Sequence, residues 1–367
     1  MVSFVLDKTK VLPHMNILKS IVSSRGFGEH DYVMFNLMEN AELQLSVQNQ
    51  TSFYSFIVPY HLIGAEGITK WAVDFKVFSS IINYNGEDNV KIKVDDNECQ
   101  FLYNKLRVKS QILDKEIMFE QSHEDIEPKE VSHYMYKVYP YIPYLMLAAD
   151  SNIFSRDNVV WFDKQTVFCT DGFRMNIYKD NELSFETPIC LSVSTANTVS
   201  AICEKQGNSD FKCFLNENKI IIESEAYSYY SNLLLYDIPE YEYILEFERE
   251  FMLKFSKEEL TKNLPYMKLS LDKEQNEKVT FTIPNASNTC ILKSNNEVSS
   301  CEAAVIGDWK FDSQVQFELQ HKHIADCLSN INSSDMLISF SNDVTVPILI
   351  TSEEEKVKQY VTRLDEG

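Results

Sequence analysis

The sequence predicts an α+β fold of three repeated domains, each made of two helix-plus-sheet halves. Three observations lead there: a helix-then-hairpin pattern that occurs three times, apolar spacing that switches between the helical and strand periods, and a composition with cores to fill. The chain has 367 residues, 44% of them apolar, with 23 Phe and 19 Tyr but only 9 Gly and 10 Pro. Such a chain is neither disordered nor fibrous. The start, Met1 to Lys8, has no basic-then-apolar leader, and no apolar run reaches the ~18 residues of a membrane span, so a cytoplasmic location is expected. The eight cysteines are scattered without a C-x-x-C pair, which predicts reduced thiols and neither a disulfide framework nor a zinc site.

The second half of each repeat is the clearer one. A helical stretch from Asp74 is followed by VKIKV, a turn at Asp95-Asp96-Asn97, and CQFLY. The next copy runs from Ser192 through FKCFL and the turn Asn216-Glu217-Asn218 to KIIIES. The third runs from Leu319 through MLISF and the turn Ser341-Asn342-Asp343 to VTVPILI. The helices begin 118 and then 127 residues apart, a spacing suited to ordinary domains. The first halves repeat as well: apolar-periodic stretches at 8–24, 139–154 and 256–269 each precede a strand pair, at 31–47, 158–170 and 278–292. Periodicity lapses in the charged segments 120–130 and 246–250. The expected domains are therefore 1–127, 128–246 and 247–350, with a C-terminal tail at 351–367.

The formal charge of −21 argues against nucleic acid until it is divided by element. The six helical windows carry a net +5 and the rest of the chain −26. The first window has Lys8, Lys10, Lys19 and Arg25 and no carboxylate. A surface that repels polyanions over most of its area but collects cations on one set of elements can hold a phosphate backbone there. Fewer charges of either sign on half-buried helices would explain windows of zero, and explain the first window poorly. The candidate phosphate contacts are Lys8, Lys10, Lys19, Arg25, Lys76, Arg156, Lys205, Lys257, Lys262 and Lys322.

Three further segments carry a family resemblance. Thr170-Asp171-Gly172-Phe173-Arg174-Met175 resembles the T-D-G-H-R-L signature of bacterial beta sliding clamps, the processivity rings of the replicative DNA polymerase. Ile238 to Leu245 is similar to the family's F-P-D-Y-R-R-V-L connector, and Val344 to Ile350 to its C-terminal V-V-M-P-M-R-L. Order, spacing and length agree over residues 1–350. The resemblance implies a DNA clamp fold whose monomers close head to tail into a homodimeric ring, with helices lining the hole. It implies double-stranded DNA held without regard to sequence, a DNA polymerase and a clamp loader as partners, and neither catalysis nor a cofactor. It also implies a partner-peptide pocket of Thr170, Gly172, Phe173, Arg174, Met175, Pro239, Tyr243, Ile244, Val344, Val346, Pro347 and Ile348. The dimer interface would pair Leu106 and Val108 with Met267 and Leu269. Phe173 stands where the family usually has His, Tyr243 and Leu349 replace Arg, and 17 residues follow the expected end, a tail able to cover the pocket. These departures suggest a bacteriophage or otherwise divergent member.

Each motif also has a plain structural explanation. Asp171-Gly172 reads as a strand-end turn, and Pro239 and Pro347 as routine loop or edge prolines. Asp95 and Asp96 sit in a predicted hairpin turn. His321 and His323 are two apart, which on a helix turns them to different faces and argues against a metal pair. No Walker loop, G-x-S-x-G, H-E-x-x-H or G-x-G-x-x-G occurs. The rival functions are a phage structural protein of repeated domains, an enzyme with an unrecognised site, and a monomeric clamp-like DNA-binding factor.

Overall fold

A strand leads into every one of the six predicted helical windows, and strands that fold back follow each helix. The computed structural model describes residues 1–22, 31–65, 68–103, 105–113, 129–152, 155–206, 212–272, 277–285, 287–310 and 314–364. In chain order, β1 (Val2–Asp7) enters two 3-10 turns and α1 (Met15–Val22), followed by β2 (Tyr32–Leu37), β3 (Glu42–Gln48), β4 (Ser52–Ala65) and β5 (Lys70–Asp74). Then come α2 (Phe75–Ile82), β6 (Asn89–Val94), β7 (Glu98–Tyr103) and β8 (Leu106–Gln111). The middle third has β9 (Lys129–Glu130), α3 (Ser132–Val138), α4 (Ile142–Leu145), β10 (Val159–Lys164), β11 (Thr166–Thr170), β12 (Arg174–Lys179) and β13 (Phe185–Ser192). It continues with α5 (Val193–Gln206), β14 (Lys212–Leu215), β15 (Lys219–Glu223) and β16 (Tyr227–Asn232). The last third has α6 (Glu242–Glu246), β17 (Phe251–Ser256), α7 (Lys257–Met267), β18 (Lys278–Ile283), β19 (Thr289–Asn295), β20 (Ser300–Asp308) and β21 (Val315–Gln320). It closes with α8 (His321–Asn330), β22 (Asp335–Phe340), β23 (Ile348–Thr351) and β24 (Val357–Val361).

Local chemistry accounts for these elements. In α1, Met15, Ile17, Leu18, Ile21 and Val22 are buried while Lys19 is exposed, the one-sided pattern of a helix lying on a sheet. The Asp74 carboxylate accepts the backbone N–H of Val77 at 3.0 Å and so caps α2, which buries Phe75, Phe78, Ile81 and Ile82. β6 and β7 alternate strictly, with Val90, Ile92, Val94, Cys99, Phe101 and Tyr103 inward. None of the eight cysteines is in a disulfide, and no helix among the described residues is long and apolar enough to cross a membrane.

The chain divides into two compact units, Met1–Pro140 with Ser194–Leu235, and Tyr141–Val193 with Tyr236–Gly367. Each is organised on one antiparallel sheet of twelve strands. In the first the order is β8-β7-β6-β1-β4-β16-β15-β14-β9, with β3 and β2 branching from β4 and β5 pairing β2. In the second it is β13-β10-β11-β12-β24-β23-β22-β17-β20-β19-β18-β21. Both sheets are joined by strands distant in sequence. In the first, β16 pairs β4 from Phe56↔Tyr227 to Ser52↔Ser231. In the second, β24 pairs β12 from Arg174↔Val361 to Tyr178↔Val357. The predicted strand pairs of the first half-repeats are β2/β3, β10/β11 and β18/β19.

One expectation is corrected here. Residues 351–364 do not form a tail laid over a finished domain: Val357–Val361 is an interior strand with β12 on one side and β23 on the other. Val357, Tyr360 and Val361 are buried while Lys358 is exposed, so the segment has apolar atoms to contribute on joining the sheet. The expected boundary after residue 127 lies outside the described residues, as do Asp365, Glu366 and Gly367.

Two buried imidazoles tie stability to pH. Burial, reinforced by Lys205, holds His14 down at about 3, and burial with Arg174 nearby holds His323 at about 4. The unfolded chain takes up protons at these rings below about pH 6.5 while the folded chain does not, so stability is lost as pH falls from 6.5 towards 4. The cost is ~2 kcal/mol per ring at pH 5. Urea unfolding at pH 7 and pH 5 is expected to give a clearly lower midpoint at pH 5, with His323→Leu reducing the difference by about half.

Candidate nucleic-acid interface and partner cleft

The predicted phosphate contacts sort by exposure. In the first unit Lys10, Lys19 and Lys76 are exposed, on the first 3-10 turn, α1 and α2. In the second unit Arg156, Lys262 and Lys322 are exposed, Arg156 lying 5.3 Å from the Tyr236 ring centroid. Three others are used within the fold. Lys8 is buried, its amine donating to the Tyr84 carbonyl and lying 5.6 Å from the Tyr103 ring centroid, which removes it from the candidate contacts. Half-buried Lys257 donates to the Ile331 carbonyl, and half-buried Lys205 to His14 Nε2 at 2.6 Å. Arg25 lies outside the described residues.

The T-D-G-F-R segment is the turn between β11 and β12, and nearly every polar atom in it is engaged. Asp171 Oδ1 accepts the backbone N–H groups of Phe173 and Arg174, both at 3.0 Å, while the Thr170 hydroxyl donates to the Arg174 carbonyl at 2.8 Å. Gly172 sits at φ +85°, a left-handed conformation that a side chain would strain. The Arg174 guanidinium is buried between two carboxylates, with Nε 2.8 Å from Asp171 and Nη1 2.5 Å from Asp326 on α8. Burial alone would lower its pKa, but the paired carboxylates outweigh it and hold the group above its ordinary value. This pinned turn carries Phe173 outward with 62% of its surface exposed.

Below Phe173 lies a cavity of about 360 Å³ lined by Asp150, Arg174, Gln320, Lys322, His323, Thr362 and Leu364, among others. The segment after β24 forms its edge: the Thr362 backbone N–H donates to the Phe173 carbonyl at 2.8 Å, and that of Leu364 to the Glu318 carbonyl at 2.9 Å. His321 and His323 part as their spacing requires, His321 Nε2 donating to the Leu264 carbonyl at 3.0 Å while His323 lines the cavity.

Other predicted pocket residues fall elsewhere in the same unit. Pro239 and Tyr243 line a separate cavity of about 430 Å³ with Asp163 and Lys164. It is anchored by Tyr241, whose ring lies 4.3 Å from that of Phe168 and whose hydroxyl donates to Asp163 at 2.9 Å. Ile244 and Pro347 are gathered by Arg249, which donates to both carbonyls, at 3.3 and 3.0 Å, and lies 5.1 Å from the Tyr360 ring centroid. Val344 is half-buried in a loop, Val346 is buried, and Ile348 pairs Val361, which in turn pairs Arg174. β24 therefore separates the predicted last strand from the T-D-G-F-R turn. Thr170 and Met175 pair directly across β11 and β12, and Met175 pairs Tyr360. The sequence reading missed Gln320, His323, Arg249, Tyr360, Thr362 and Leu364; the β-branched and aromatic residues of Val357–Val361 were the weak signal for the strand that brings the last three in.

No family model and no curated protein matches the sequence. The backbone, however, follows solved structures over its full length. The beta subunit of DNA polymerase III from Thermotoga maritima matches with a TM-score of 0.85 at 13% identity, covering 100% of both chains. Subunit beta from Borrelia burgdorferi, solved with a natural product, gives 0.83 at 15%, over 100% of this chain and 98% of that one. The beta chain from Streptococcus pneumoniae gives 0.82 at 16%, again over 100% of both. The chain has the α+β sliding-clamp fold. At such identities the likeness is one of fold, retained while most side chains have changed.

The clamp-fold turn is expected to separate stability from surface function. Phe173→Ala should change unfolding free energy by less than ~0.5 kcal/mol, because the ring is mostly in solvent. Arg174→Ala leaves two carboxylates without their cation and should cost ~3 kcal/mol. Gly172→Val should cost ~1 kcal/mol through its positive φ. Denaturant titration of the three variants checks the ranking.

Proposed function

We propose that this protein is a DNA sliding clamp: it encircles duplex DNA as a head-to-tail homodimer and tethers the replicative DNA polymerase as a processivity factor without catalysis of its own. The observation that carries this is full-length agreement with polymerase III beta subunits, all six helix-and-strand halves included. The exposed cations on helical elements support it further, since a phosphate backbone needs positive charge but no base-reading groups if it is to slide.

Ring closure has its own support. β8 is an edge strand with Leu106 exposed and Val108 half-exposed. β20 pairs β19 from Ser300 to Ile306 but meets β17 only at Gly307 and Asp308, so its 300–306 stretch has no second strand among the described residues. Around that edge Leu269, Val298 and Ile306 are exposed. We read β8 of one copy as pairing β20 of another, an arrangement that covers both edges. Met267, part of the proposed pairing by sequence, is wholly buried in the core and drops out; Leu269 stays.

The proposed partner site is the cleft beside Phe173, where an extended peptide from the polymerase or the loader would rest an apolar side chain on the exposed ring. With Phe173 where the family has His, an apolar peptide is favoured.

Three outcomes are expected. The protein loaded on nicked circular DNA is retained and escapes after linearisation, in a gel-filtration assay; equal loss from both forms removes the ring. Lys10→Glu, Lys19→Glu and Lys76→Glu together weaken DNA binding and reduce the log–log salt slope by roughly 0.9 for each phosphate no longer neutralised. Leu106→Asp combined with Ile306→Asp gives a folded monomer in sedimentation, and a wild type that is monomeric at micromolar concentration refutes the edge pairing.

A further inference from the structure

Lys205, in the last turn of α5, points into the fold, and its surroundings are unusual for a lysine. Its amine lies 2.6 Å from His14 Nε2, while His14 Nδ1 lies 2.5 Å from the Tyr54 hydroxyl. The imidazole is clamped flat on Phe56, ring centroids 3.9 Å apart and planes within 8°. With Nε2 accepting from the amine, Nδ1 carries the ring proton and donates it to Tyr54. Among the described residues no carboxylate pairs with the amine; the neighbouring Glu204 is exposed, and Tyr54, Tyr227 and Cys203 are buried and neutral. The side chain is half-buried, so part of its surface remains open.

We propose that Lys205 is an acyl-acceptor site, a nucleophilic amine oriented by His14 that takes an acyl group from small activated donors of the acyl phosphate class. His14 is a positioning residue: by accepting one N–H it leaves the nitrogen lone pair directed away from the ring. In the reaction that lone pair attacks the acyl carbon and a C–N bond forms. The C–O bond to phosphate breaks, the phosphate leaves with the bonding electrons, and the amine proton passes to it. The product amide has no charge, so acylation removes one cation from α5.

The amine is suited to this because burial lowers its pKa to about 8. At pH 7.5 about a quarter of such amines are neutral, against roughly one in a thousand for an ordinary lysine. Two short unstructured peptides, each with a single lysine, are the references.

The test is labelling of the full-length protein with isotopically labelled acetyl phosphate, with site-by-site rates from peptide mass spectrometry between pH 6.5 and 10. Lys205 is expected to react at least about tenfold faster than the reference peptides at pH 7.5, its rate levelling above pH 8 while theirs keep rising about tenfold per pH unit. Equal rates at pH 7.5, or a Lys205 rate that rises in parallel with the references, overturns the proposal. Because burial sets the levelling and His14 only orients the amine, His14→Phe should keep the levelling but lower the plateau rate at least about fivefold, and His14→Gln, which keeps an acceptor, should preserve the plateau rate. A folded His14→Phe protein with the wild-type plateau rate removes the orienting role. If neither variant folds, the wild-type profile alone decides.

Discussion

Each sheet in this protein has to cover strand edges that its own neighbouring strands leave open, and the architecture follows from how that is done. An uncovered edge is a row of unsatisfied backbone donors and acceptors and a template for unwanted pairing. β16 covers the first part of β4, and β24 covers β12. In both cases the covering strand lies far along the chain from the strand it covers, so the repeats are joined by main-chain hydrogen bonds as well as by side-chain packing. Among the described residues, β8 and the 300–306 stretch of β20 have no covering strand.

The charge pattern is subordinate to this framework. Lys8, Lys205 and Lys257 belong to the basic helical windows, yet each is bonded to a group inside the fold, a carbonyl or an imidazole. Burying a cation is costly unless it is hydrogen-bonded, and each of these is. Net charge by segment therefore overstates what a ligand meets; among the described candidate contacts, Lys10, Lys19, Lys76, Arg156, Lys262 and Lys322 remain on the surface. On a chain of formal charge −21, even that modest set stands against an acidic remainder.

Much of this was legible from the residues. Helices and hairpins could be read because their apolar periods differ and because Asn and Asp mark the turns. The T-D-G-F-R turn was legible because Gly172 and Asp171 are locally required, one for its φ and the other for its backbone acceptors. What could not be read depended on partners remote in sequence. The five residues of β24 carry a weak strand signal by themselves, and their neighbour β12 lies about 180 residues earlier. The same holds for the cleft: Gln320 and His323 look like ordinary positions on and before α8 until Asp326 is tied to Arg174. Met267 looks like a surface position at a helix end and is core because α7 turns it inward.

The position of β24 has a consequence for how the molecule is made. Until residues 357–361 have been synthesised, β12 and β23 each present a bare side to solvent, and the second sheet is in two pieces. Closing a loop of that length carries a large entropic cost before any ladder bond is gained, and contacts so distant in sequence slow folding. The second unit is therefore completed after translation of its earlier parts, in a step that inserts one strand between two waiting ones. Until then those two edges are the places where newly made chains are exposed to one another, and chaperone protection would matter most there.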